Sequence, residues 1–393
     1  MNKKTIKDIE VKGKTVLIRV DLNVPLDKQG KIEDDSRITA VLPTLFNLIG
    51  RGAKLVLVSH LGRPTDHNPE LDLKPIAKTL AKRLDLKEIP VLELEDKNNK
   101  KTISKLKPGE IVMLQNIRYS MEERENSKSF SKKLASYADI YVNDAFGVSH
   151  RKHASVVGIT EFLPSVAGLL LEEEIRFLDM FMRSPAKPVT VIIGGKKFMS
   201  KIAVIDRFLE KADAIMIGGG IANNFLKAWG GKIGKSIYEP EMLELTHKYI
   251  WKAMNSNTAL MLPEDVVIAD SLEGRKTKVV SIFDVPSNWY ILDIGPKTIK
   301  KYADHIKKAG TVIWSGPVGL AENPKFAKGT HGLLEAISKS DANSVIGGGD
   351  TLGAVKKYPK LLNKVTHVST GGGATLEFIE KGTLPGIEAL EDK

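Results

Sequence analysis

In Val189-Thr-Val-Ile-Ile-Gly-Gly-Lys-Lys-Phe-Met-Ser-Lys-Ile202 five consecutive β-branched residues run straight into two glycines, and three lysines follow before the next acid, Asp206. A run without polar alternation is the pattern of a strand buried on both faces, and glycine directly after it marks a tight turn into the next element. The same pattern recurs outward along the chain. Before it stand Thr15-Val-Leu-Ile-Arg-Val20, Lys54-Leu-Val-Leu-Val58, Ile111-Val-Met-Leu114 and Ile140-Tyr-Val142. After it come Ala214-Ile-Met-Ile217, Ala259-Leu-Met-Leu262, Tyr290-Ile-Leu-Asp293, Thr311-Val-Ile-Trp314, Ser344-Val-Ile346 and His367-Val-Ser369. Helix-patterned segments separate them, which predicts an α/β chain with two doubly wound parallel sheets.

Between the two sets lies Leu169-Leu-Leu-Glu-Glu-Glu-Ile-Arg-Phe-Leu-Asp-Met-Phe-Met182, rich in strong helix formers and stopped by Ser184-Pro185 and Lys187-Pro188. It is expected to be an interdomain helix over 169–182, between an N-terminal domain of residues 1–168 and a second domain of residues 183–373, with a ligand cleft between the domains. The tail 374–393 is expected to pack back on the first domain.

At 393 residues the chain is long enough for two cores, and 42% hydrophobic with 27% charged residues is ordinary globular composition. The start MNKKTIKDIEVKGK lacks the apolar run of a secretory signal, and no run has the length of a membrane span. There is no cysteine, hence neither disulfide nor thiolate metal site, which fits a cytoplasmic protein. The net charge of +11 is spread along the chain without an Arg-rich tail or a basic segment interleaved with aromatics. Anionic small molecules are therefore expected as ligands rather than nucleic acid or a membrane.

Open α/β sheets bind ligands beyond the carboxyl ends of their strands. In the second half those positions carry Gly194-Gly195, Gly218-Gly219-Gly220, Gly295-Pro296, Ser315-Gly316-Pro317, Gly347-Gly348-Gly349-Asp350 and Thr370-Gly371-Gly372-Gly373. A single pair would be an ordinary turn, but the repetition describes a platform of backbone N–H groups for a nucleotide or phosphate. In the first half the same positions carry Asp21 and Asn23, His60 and Arg63, Arg118, Asn143 and Asp144, then His150 and Arg151, with Arg37 following an acidic turn. An isolated arginine is usually a surface ion pair, whereas several at strand ends suit a small polyanion bound bidentately. Transfer between an anion on one domain and a nucleotide on the other would require closure about the connecting helix.

RVDLNVPL, VSHLGRP, VNDAFG, IGGGIANNFL, LPEDVV, DIGPKT, TVIWSGPVG, IGGGDT and HVSTGGGATLEFIEKGTLPGI occur in the order and spacing that resemble the phosphoglycerate kinase family over essentially the whole chain. The resemblance implies phosphoryl transfer from 1,3-bisphosphoglycerate to MgADP, giving 3-phosphoglycerate and MgATP, by a monomeric, hinge-bending glycolytic enzyme. It implies a phosphoglycerate site of Asp21, Asn23, Arg37, His60, Arg63, Arg118 and Arg151. Lys197 and Lys201 correspond to phosphate-contacting lysines. Gly194, Gly195, Gly218, Gly219, Gly295, Pro317 and Glu322 correspond to the adenosine pocket. Gly348, Gly349, Asp350 and Thr351 form the turn at the nucleotide phosphates, Asp350 being the ligand of the nucleotide's Mg2+. Gly372 lies in the turn above the transferring phosphoryl and joins Arg37, Lys197 and Lys201 as the catalytic set.

The chain departs from the family's pattern in the lysine loop, where GGKKFMSKI stands for GGAKVSDKI, and at Gln115, Tyr119, Ser315 and Leu320-Ala321. A helix beginning after Gly195 would place Lys197 and Lys201 on one face, four residues apart. A catalytically weakened relative kept as a nucleotide- or phosphate-binding protein is the rival reading. A dinucleotide-dependent dehydrogenase is disfavoured because no strand is followed by G-x-G-x-x-G with an acid about twenty residues on.

Overall fold

The computed structural model describes residues 2–27, 29–64 and 66–393. Contacts divide the chain into two compact units, residues 1–176 with 383–393, and residues 177–382.

The first unit holds β1 (Thr15–Val20), β2 (Lys54–Val58), β3 (Val91–Leu92), β4 (Ile111–Leu114), β5 (Ile140–Asp144) and β6 (Ser165–Ala167) in one sheet of order β3-β4-β2-β1-β5-β6. Every pairing is parallel, with Val16 opposite Leu55 on one side and Ile140 on the other. The chain leaves β1 toward β2 and later returns to β5 on the opposite flank. The β1/β5 boundary is therefore the point where connection direction reverses and a crevice opens.

In the second unit β7 (Val189–Ile193), β8 (Ala214–Ile217), β9 (Ala259–Met261), β13 (Thr311–Ser315), β14 (Asn343–Gly347) and β15 (His367–Val368) form a second parallel sheet of order β15-β14-β13-β7-β8-β9. Its reversal falls between β7 and β13. There Gly194 N–H donates to Ser315 O at 2.9 Å and Gly195 N–H to Pro317 O at 2.8 Å.

One expectation fails. The Tyr290 run does not belong to the parallel sheet: β12 (Tyr290–Ile294) pairs antiparallel with β10 (Asp265–Ala269), which pairs antiparallel with β11 (Thr277–Ser281). This three-stranded sheet covers its own small core of Leu226, Ile233, Val266, Ile268, Ile282 and Val285.

The connecting helix runs Leu169–Arg183. It buries Leu171, Ile175, Leu178 and Phe181, a stripe at helical spacing. Its first turn is fixed by Asp144, whose Oδ1 accepts N–H bonds from Leu170 at 2.9 Å and Leu171 at 3.2 Å. No helix among the described residues is long and apolar enough to cross a membrane.

Candidate active site

In the second unit the β7/β13 crevice carries two adjoining cavities. The first, about 270 Å³, is lined by Gly195, Lys196, Gly219, Gly220, Asn223, Ile237, Leu292, Pro317, Leu320 and Glu322 among others, and reaches Asp350. Its lining is mainly apolar with a few polar groups, a composition that suits a nucleoside. The second, about 420 Å³, is lined by Gly195, Lys196, Lys197, Ser200, Lys201, Gly316, Gly348, Gly349, Asp350, Thr351, Gly372, Gly373 and Leu376. Gly195, Lys196 and Asp350 border both cavities, so one elongated ligand with an apolar end and an anionic end can occupy them together.

Backbone approach at the crevice is tight enough to exclude side chains. Gly219 has φ +62°, and a Cβ there would lie 2.7 Å from Gly195 N. Gly194 and Gly218 are packing glycines of the same kind, against Pro317 and Val318. Neither they nor Gly295, which starts the helix Pro296–Ile306 against Asp265, lines either cavity.

Lys201, a buried cation lining the second cavity, is 7% exposed, with Nζ donating to Ser315 Oγ at 2.7 Å. Burial lowers its pKa to about 8, opposed by the negative charge of Asp350. Thr351 Oγ1 accepts from Gly316 N–H at 2.7 Å and donates to Gly347 O at 2.9 Å, stitching the β13 and β14 turns together. The shared helical face proposed for the lysines does not exist. Lys197 precedes any helix, Met199–Lys201 is one 3-10 turn, and the α-helix starts at Ile202. Both lysines nevertheless line the same cavity.

The altered loop has its own anchor. Phe198 is fully buried against Phe225 and Tyr249, ring centroids 5.6 and 6.4 Å away, and its N–H donates to Glu239 Oε1 at 2.7 Å. Glu239 is held in turn by Asn224, which donates to its carbonyl and accepts from its N–H. Phe198 thus ties down the segment between Lys197 and Lys201.

In the first unit Arg37 Nη1 donates to Asp21 Oδ2 at 2.5 Å, and Asn23 Oδ1 accepts from Gly62 N–H at 2.8 Å. Arg118 Nη1 donates to Gly62 O at 2.6 Å. Arg63 and Arg151 are exposed, whereas His60 is buried with Nδ1 3.9 Å from Asp21 Oδ1. Burial first, then the charges of Arg19, Arg118 and Arg37, hold His60 well below the usual imidazole range. Burial and the charge of Arg19 bring Arg118 to about 10, so it stays charged at neutral pH. Among the changed positions, Tyr119 donates its hydroxyl to Asn68 O at 2.5 Å, and Gln115 Oε1 accepts from Leu73 and Asn116 N–H.

Sequence reasoning missed the buried Arg19 beside His60, hidden inside an apolar strand run, and the aliphatic lining of the first cavity at Ile237, Leu292 and Leu320. Among the described residues no group of three His, Cys, Asp or Glu is placed to hold a metal. Asp350 alone fits a cation that arrives with its own phosphate ligands, which is the usual manner of Mg2+.

A glycine-built nucleotide crevice in one α/β unit and an arginine-histidine cluster at the strand ends of another define a nucleotide-dependent phosphotransferase. The profile of the Phosphoglycerate kinase family matches residues 6–382. Phosphoglycerate kinase of Clostridium novyi (strain NT) is 46% identical, and that of Pelotomaculum thermopropionicum 42%, each alignment covering 100% of both chains. The solved structure of phosphoglycerate kinase from Coxiella burnetii superposes with a TM-score of 0.88 at 39% identity, covering 98% of each chain. That from Pyrococcus horikoshii OT3 does so with 0.88 at 32%, again over 98% of each. The chain belongs to the phosphoglycerate kinase family, and its activity is that of a phosphoglycerate kinase.

Proposed function

We propose that the second unit binds MgADP, with adenosine in the aliphatic cavity and phosphates between Lys197, Lys201 and the Gly348-Gly349 turn. In this reading Asp350 takes the Mg2+ that accompanies the nucleotide, and Glu322, which lines the first cavity, takes the ribose hydroxyls. The first unit binds 1,3-bisphosphoglycerate through Asp21, Asn23, Arg37, His60, Arg63, Arg118 and Arg151.

In transfer a β-phosphate oxygen of ADP forms a bond to the phosphorus of the acyl phosphate. The bond from phosphorus to the acyl oxygen breaks, and the electron pair leaves with the carboxylate of 3-phosphoglycerate. No proton moves at neutral pH, so no general base is needed, and none of the cavity residues forms a His–Asp or Ser–His pair. What the protein supplies is in-line placement and stabilisation of charge on the three equatorial oxygens. Lys201, Lys197, Arg37 and the backbone N–H groups near Gly372 have the charge and polarity for that role.

The observation that carries this reading is Lys201, a buried cation facing Asp350 in a cavity walled by glycine turns. Coupled measurement of ATP formation from 1,3-bisphosphoglycerate and MgADP tests it. Nucleotide binding without ATP formation would instead favour a binding protein. The same reading takes anionic metabolites as partners and a soluble, monomeric enzyme of the cytoplasm as its setting.

A further inference from the structure

Arg19 lies on β1 and is 1% exposed. Its Nε donates to Ser155 Oγ at 3.0 Å, its Nη1 donates to Val20 O and, at 3.5 Å, to Val58 O, and its Nη2 is 3.3 Å from His60 Nδ1. Behind it, Ser155 Oγ donates to Glu123 Oε1 at 2.7 Å and Ser155 N–H to Glu123 Oε2 at 2.8 Å. Glu123 is fully buried, with His153 Nδ1 3.5 Å away. A serine hydroxyl therefore bridges a buried carboxylate to a buried guanidinium.

A guanidinium has five donors, no acceptor, and keeps its proton in proteins. Its contact with His60 consequently assigns the roles: Nδ1 accepts, and the ring proton must sit on Nε2. We propose that Arg19 is a positioning residue that locks His60 as the neutral Nε2–H tautomer, and that Glu123, through Ser155, holds Arg19 in place to do so.

The groups facing His60 support this state. Arg19, Arg118, Arg37 and His153 all disfavour an imidazolium, as does burial. Asp21 is the opposing group, and its other oxygen is engaged by Arg37. His60 then offers phosphoglycerate one directional N–H donor without charge, while the arginines supply the charge. It also keeps that donor between pH 6 and 8, where an ordinary histidine would titrate. The consequence for substrate rests on the phosphoglycerate reading above, but the tautomer does not.

The full chain labelled with 15N-histidine, without ligand, is the test, read by long-range proton–nitrogen correlation with His60→Gln identifying the signal. The expected result is protonated Nε2 and unprotonated Nδ1 from pH 6 to 8. A proton on Nδ1, or a His60 that titrates in that range, would overturn the proposal without any variant. In Arg19→Met the tautomers should mix or titration should appear, and KM for 3-phosphoglycerate should rise about tenfold, the scale of one misplaced hydrogen bond. KM for ATP should stay within about twofold, because only the first unit is altered. Arg19→Lys, still a pure donor, should restore the Nε2–H form. An Arg19→Met protein with unchanged tautomer and titration would overturn the lock. A changed tautomer with unchanged KM would support the lock and overturn the place given to His60 in the substrate site.

Discussion

Lys201 Nζ donates to Ser315 Oγ at 2.7 Å, so a β13 side chain holds the ammonium of a lysine that lines the same cavity as Asp350. With the Lys201 pKa lowered to about 8, the ligand-free protein is largely neutral at this position by pH 9. Nucleotide phosphates favour the ammonium, so binding above that pH takes up a proton. MgADP affinity should fall by up to about tenfold per pH unit above 8. Calorimetry at pH 9 in buffers of different ionisation enthalpy should give an uptake approaching one proton. In Lys201→Arg, which stays charged, the uptake should vanish. Equal proton uptake in both proteins would assign the titration to another group.

What the sequence disclosed and what it hid have physical causes. Val189–Ile193 and Thr311–Ser315 are buried at every position, as a strand covered on both faces requires, and that leaves an unambiguous run. Thr277–Ser281 reads TKVVS because its first three residues are exposed on an edge strand, and it was invisible for that reason. Glycines and charged residues at strand ends were conspicuous as site candidates. Leu292 and Leu320 line the first cavity, yet nothing in their type separates them from core leucines. The spacing of Lys197 and Lys201 misled because Phe198, buried on Phe225 and Tyr249, holds a turn where a helix was expected.

Arg63 and Arg151 are exposed arginines near strand ends, positions where isolated ion pairs contribute little. If they bind phosphoglycerate oxygens, Arg63→Ala and Arg151→Ala should each weaken 3-phosphoglycerate binding by about 1.5–3 kcal/mol, the scale of a hydrogen bond to a charged group. Nucleotide affinity in the same calorimetric series should stay unchanged. Full 3-phosphoglycerate affinity in both variants would remove them from the site.

Asp350 borders both cavities of the second unit. Asp350→Asn should abolish most of the gain in ADP affinity that Mg2+ confers, while ADP binding in the presence of a chelator changes little or strengthens, since a repelling carboxylate is gone. Affinity for 3-phosphoglycerate should be nearly constant. An undiminished Mg2+ effect would place the metal elsewhere.

Asp144 gives a stability prediction with a defined sign. Burial raises its pKa from 3.8 to about 7, against the two backbone N–H bonds at the start of the connecting helix and the Thr44 hydroxyl, which act in the opposite direction. Between those values the folded chain holds a proton that the unfolded chain releases, so its contribution to stability is full below about pH 4 and is lost as pH rises through 7. The slope is at most about 1.4 kcal/mol per pH unit. Only Oδ1 accepts backbone bonds, and an asparagine oxygen can keep both. Urea unfolding of Asp144→Asn should therefore show a stability that gains on the unsubstituted protein from pH 5 to pH 8, whatever constant offset the amide introduces. A difference independent of pH would mean that Asp144 is ionised throughout.

Ser200 is exposed and lines the second cavity, its hydroxyl donating to Lys197 O at 2.8 Å. An acid at this position would offset part of the charge of Lys196, Lys197 and Lys201, and serine leaves the cavity more positive. Exposed charge attracts phosphate strongly at low ionic strength and is screened at moderate salt, where the Debye length falls to about 10 Å. Ser200→Asp should thus weaken MgADP binding at low salt and flatten its dependence on salt. Turnover should rise if product release limits the rate and fall if transfer does. Phe198 still anchors the loop when the substitution gives up the Ser200 bond to Lys197 O, so the change in charge dominates. Calorimetric affinities for MgADP at two ionic strengths in both proteins provide the measurement. Parallel salt slopes with equal affinities would show that the bound phosphates do not sense position 200.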